Sequence, residues 1–140
     1  MAFEIVTAVI ASSTALAVGV VGYWFTKKRE REAELRKERL EHYKELVSSL
    51  SDILEGDDNF QGQKRFAVAC NNLNLIAPAS VIKALQVFQD ETKSSNPNRS
   101  FERHDELLSL LLIKMRQDLN VSSDGESMLT FRLWAPGKQQ

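Results

Sequence analysis

IVTAVIASSTALAVGVVGYWF, residues Ile5 to Phe25, contains no Asp, Glu, Lys, Arg, His, Asn, Gln or Pro. Wound as an α-helix it extends roughly 30 Å, about the hydrocarbon thickness of a bilayer, with every backbone N–H and C=O satisfied inside the segment. The flanks are asymmetric. Tyr23, Trp24 and Phe25 close the run, Lys27, Lys28, Arg29 and Arg31 follow at once, and Glu4 is the one charged side chain ahead of them. An aromatic cluster with basic residues on one side predicts a single-pass transmembrane helix, with the N-terminus outside and the C-terminal domain in the cytoplasm. A cleavable leader would carry its charges before the apolar run and a small-residue cleavage site after it. The pattern therefore predicts a retained anchor over residues 1–26, placed in the inner (cytoplasmic) membrane. A buried core helix is the competing reading of so apolar a run.

Two further features of this stretch bear on partners. Ala8, Ser12, Ala15, Gly19 and Gly22 recur at spacings of four and three, so one stripe carries only small residues and a second helix could approach it closely. Packed spans of this kind predict self-association or a pore, whereas a monomeric anchor carries the same residues. Lys27, Lys28, Arg29 and Arg31 are candidates for contact with anionic lipid head groups, against the simpler role of setting topology.

Residues 27–39, KKREREAELRKER, are almost wholly charged and rich in strong helix formers, which predicts a solvated helical stalk. Glu32 with Arg36 and Glu34 with Lys37 are spaced to pair along it. The pattern changes at Leu40. Leu40, Tyr43, Val47, Leu50 and Leu54 recur at three and four, widened by Leu46 and Ile53, and so mark a buried face. A coiled-coil seam would be narrower and longer, so a bundle over residues 40–140 is the better expectation. Gly56 and the acidic turn after it end that helix.

A second helix is predicted from about Phe60 to Ile76, burying Phe66, Cys70, Leu73 and Ala77, and Pro78 stops it. A third begins near Pro78 or Ser80 and turns Val81, Ala84, Leu85 and Phe88 inward. After the polar loop from Lys93, Ser100 caps a last helix whose core stripe is Leu107, Leu108, Leu111, Met115 and Leu119. Leu110, Leu112 and Ile113 make it apolar nearly all round, which predicts a central position. Asn120 ends it. LTFRLW, from Leu129, reads as a short extended tail docked on the bundle, since a lone strand has no partner. The expected fold class is therefore all-α: a transmembrane helix, a charged stalk and a four-helix cytoplasmic bundle with an extended C-terminal tail.

Composition narrows function more than it names it. Lys and Arg total 18 against 19 Asp and Glu, a net charge of −1, so no global field favours nucleic acid. One cysteine, Cys70, excludes an intramolecular disulfide and a multi-cysteine metal site. No glycine-rich phosphate loop, HExxH pair or GxSxG elbow occurs, and no cofactor or small-molecule substrate is indicated. His104 with Asp105 is the only adjacent pair that resembles a catalytic motif, that of metal-dependent phosphohydrolases. Such enzymes need further ligands, and the one other histidine, His42, lies in a charged helix. Phe131, Arg132 and Trp134 in the tail form a candidate partner-binding segment, because aromatics and arginine concentrate at interface hot spots. The alternative is that they close the open end of the bundle.

The segments NNLNLIAP from Asn71, RHDELL from Arg103, MRQDL from Met115 and FRLW from Phe131, behind one span and a charged stalk, resemble small bacterial membrane-anchored proteins of no assigned function. The resemblance implies no active site. Together these features predict a membrane-tethered helical interaction or regulatory module without catalysis of its own, partnered by lipid and by another protein or a second copy. The alternatives are a small metal-dependent hydrolase using His104 and Asp105, and a pore- or oligomer-forming membrane protein.

Overall fold

The computed structural model describes residues 1–54, 60–93, 95–98, 100–121 and 130–133, with the side chains of 11–13, 15 and 54 outside that description. Among the described residues there are four α-helices: α1, Ala2–Leu54; α2, Phe60–Ile76; α3, Ala79–Thr92; and α4, Phe101–Asp118. The chain forms two compact units, Met1–Lys37 and Glu38–Gln140.

In the first unit the described apolar side chains of α1 are exposed. Thr7, Thr14 and Thr26 return their hydroxyls to the carbonyls of Phe3, Ile10 and Gly22, at 2.8, 2.8 and 3.0 Å, so these polar groups are satisfied within the helix. Among the described residues, no helix is long and apolar enough to cross a membrane. This corrects the expected transmembrane helix, and with it the single-pass, inner-membrane placement with the N-terminus outside.

The second unit holds the core. Tyr43, Leu46 and Leu50 of α1, Ala69, Cys70 and Leu73 of α2, Val81, Ala84, Leu85 and Phe88 of α3, and Leu107, Leu108, Leu111 and Met115 of α4 form one buried cluster. The stripe on α1 is rotated from its expected position. Leu46 and Ser49 are fully buried, whereas Leu40 is 36% exposed and Val47 only partly covered. The apolar spacing alone could not choose between neighbouring faces, because leucines lie on both. α4 is not surrounded as its composition suggests. Leu110 is exposed, and among the described residues no further helix covers that face.

Local signals set the helix ends. Pro78 has no N–H to continue α2, and its carbonyl accepts from Val81 and Ile82 at 3.0 and 3.1 Å, starting α3. Ser100, extended at φ −131°, ψ 144°, accepts the Arg103 N–H on its hydroxyl and caps α4. At the other end Asn120 takes φ 56°. Its N–H reaches Gln117 O at 3.1 Å and that of Val121 reaches Arg116 O at 2.9 Å, so a left-handed Schellman turn satisfies the last carbonyls. The glycine cap expected at Gly56 lies outside the described residues.

Candidate functional site

Within the second unit, α1 and α4 leave a shallow apolar groove of about 430 Å³ between them. Leu40, Tyr43, Val47, Leu112, Met115 and Leu119 line it, with Lys44, Ser48 and Arg116 at its margin. Two cations and no carboxylate are among the lining residues. One wall is fixed by a polar contact that joins distant parts of the sequence. The Tyr43 hydroxyl donates to Asp118 Oδ2 at 2.8 Å, and Arg39 Nε lies 3.1 Å from the same oxygen. Burial first, and then the hydrogen bond to a carboxylate, push the Tyr43 phenol well above its ordinary pKa and keep it neutral. α2 is tied to α1 by Arg65, which bridges Glu45, at 2.9 Å, and Asp52.

The tail meets the groove's margin. Ser109, buried on α4, donates to the Asp105 carbonyl at 2.7 Å and accepts the Phe131 N–H at 2.9 Å, which fixes the backbone of residues 130–133 against α4. The Arg116 guanidinium then stands 5.9 Å from the centre of the Phe131 ring. Of the candidate partner residues, Phe131 is therefore half-covered by its own domain. Arg132 is exposed, with its Nε 3.7 Å from Asp105, and Trp134 lies outside the described residues. The anchoring role of Ser109 was not anticipated. Its signal is a single hydroxyl in the otherwise apolar run LLSLLLI, a position that must find a hydrogen-bond partner once buried.

No protein-family model, curated protein or solved structure matches this chain. What the chain does must be read from its own geometry. His104 Nδ1 lies 3.5 Å from Asp105 Oδ1, and its ring packs on Phe88 with centroids 5.1 Å apart, so one edge serves the core and the other a neighbouring carboxylate. Among the described residues no three His, Cys, Asp or Glu side chains gather as a metal site would require. Cys70 is buried. Its thiol is pushed up to about 11 by burial, against a lowering hydrogen bond with Gln89, which is the opposite of an activated nucleophile.

In the first unit, two positions of the small-residue stripe, Gly19 and Gly22, face open space. A Cβ added at Gly19 or Gly22 would meet nothing within 4 Å; Ala8 is exposed, and the side chains of Ser12 and Ala15 lie outside the description. Lys27, Lys28, Arg29 and Arg31 are all exposed on α1 directly after Tyr23, Trp24 and Phe25.

Proposed function

We propose that the chain is a helical interaction module without catalysis of its own, and that its bundle binds an amphipathic helix of a partner protein in the groove between α1 and α4. The groove itself carries the reading: an apolar floor of three side chains on one edge, Leu40, Tyr43 and Val47, faces Leu112, Met115 and Leu119 on the other. A helix laid in such a groove inserts residues at three- and four-residue spacing. Lys44 at the margin is already paired with Glu41 at 2.8 Å, so the apolar side chains rather than charge set what the groove accepts. The Tyr43–Asp118–Arg39 contact holds one wall in place, which lowers the ordering cost of binding.

Site-specific photo-crosslinking in cells tests this. A crosslinking residue at Val47 or Leu112 should trap one discrete protein partner, and Leu40→Glu, at a groove position that is 36% exposed, should remove that adduct while the bundle's melting temperature is unchanged. The same adduct from an exposed position on α3, such as Lys83, or none from either groove position, would overturn the reading. A metal-dependent phosphohydrolase would instead show turnover of a phosphate ester abolished by His104→Ala, and the packing of His104 against Phe88 gives that alternative no support.

A further inference from the structure

The first unit presents three kinds of chemistry in a fixed order along α1. The aliphatic and small residues Leu16–Gly22 come first, then Tyr23, Trp24 and Phe25 at 67, 59 and 50% exposure, then the basic cluster Lys27, Lys28, Arg29 and Arg31. Helical rise sets each cation about 6 Å beyond the aromatic ring four residues before it. The side chains follow that spacing. Lys27 Nζ stands 5.9 Å from the centre of the Tyr23 ring and Lys28 Nζ 5.7 Å from that of Trp24, while the Trp24 and Phe25 rings meet edge to face at 5.4 Å. From residue 27 to 31, four basic side chains stand against Glu30, which pairs with Lys27 at 3.0 Å.

A solvated charged face would explain the cations and leave three exposed aromatics and the aliphatic turns before them without a reason. A soluble polyanion has the same shortcoming. A lipid surface accounts for the aromatics and the cations together, because the interfacial region that takes aromatic rings lies beside the phosphates that take the cations. The geometry points to residues 23–31 as a contact site for anionic phospholipid head groups, with Trp24 at the level of the interface and Lys28, Arg29 and Arg31 on the phosphates. This contact requires a charged and aromatic surface and makes no claim of crossing. It is independent of the groove in the second unit.

The test uses the full chain with Trp134→Phe, so that Trp24 is the only tryptophan, mixed with phospholipid vesicles containing brominated phosphatidylglycerol or brominated phosphatidylcholine at equal mole fraction. At low salt the brominated anionic lipid should quench Trp24 fluorescence about twofold more strongly than the zwitterionic one. That preference should shrink as salt rises from about 0.05 to 0.5 M, and vanish in the Lys28→Gln, Arg29→Gln, Arg31→Gln variant. Lys28→Arg, which preserves the charge, should retain it. Equal quenching by the two lipids, a preference that survives the triple substitution, or no quenching by either lipid would each overturn the assignment.

Discussion

Tyr43 closes the distance between α1 and the end of α4 with one hydroxyl, on a carboxylate that also meets Arg39. Tyr43→Phe keeps the ring and removes that bond to a charged acceptor, so it should lower stability by about 1.5–3 kcal/mol in urea denaturation. The same residue gives a pH dependence of defined sign. Because its folded-state pKa is raised above the ordinary 10.0, its contribution is fully present below about pH 10 and is lost as pH rises further. The phenylalanine variant should show a flatter alkaline limb. Cys70 responds in the same direction, from an ordinary 9.0 to about 11. With roughly a hundredfold less thiolate near neutrality and no solvent path, it should react with a disulfide reagent at least about a hundredfold more slowly in the native chain than in urea. Equal rates would show that the thiol is not enclosed.

Among the elements, α4 is the most fully specified. Its start depends on the Ser100 hydroxyl holding the Arg103 N–H, so Ser100→Ala should cost about 1 kcal/mol, read as a shift in denaturation midpoint. α1 supplies a contrast within one helix. Leu46 is fully buried and Leu40 is 36% exposed, although both sit on the apolar side of the sequence pattern. Leu46→Ala should therefore destabilise by about 2–5 kcal/mol, whereas Leu40→Ala should cost less than about 1 kcal/mol and act instead on partner capture by the groove. Equal costs at the two positions would mean that the helix face is turned otherwise.

At the scale of the whole molecule, among the described residues every member of the buried hydrophobic cluster lies in Glu38–Gln140 and none in Met1–Lys37. A chain of residues 38–140 should consequently unfold cooperatively by itself, with a melting temperature within a few degrees of the full chain's, as calorimetry would show. Loss of cooperative melting on removing the first 37 residues would refute this. A second unit that folds alone is what a binding bundle needs, since its groove is then formed by its own helices and awaits no other element.

Residue order by itself determined the helices and most of their inward faces. Pro78, Ser100 and Asn120 act on the backbone within a turn of themselves, and the stripes Val81–Phe88 and Leu107–Met115 repeat at the helical period, so these effects are local and legible in the sequence. Tertiary structure decided what depends on residues brought together from far apart. Tyr43 meets Asp118 across 75 positions and Ser109 meets Phe131 across 22, and no local pattern encodes either pairing. It also decided which of two adjacent apolar faces of α1 is buried, because leucines on both satisfy the same spacing and only the packing of α2, α3 and α4 separates Leu46 from Leu40. The groove follows from that choice: Leu40, Val47, Leu112 and Leu119, which the core covers only in part, lie over the buried Tyr43 and Met115.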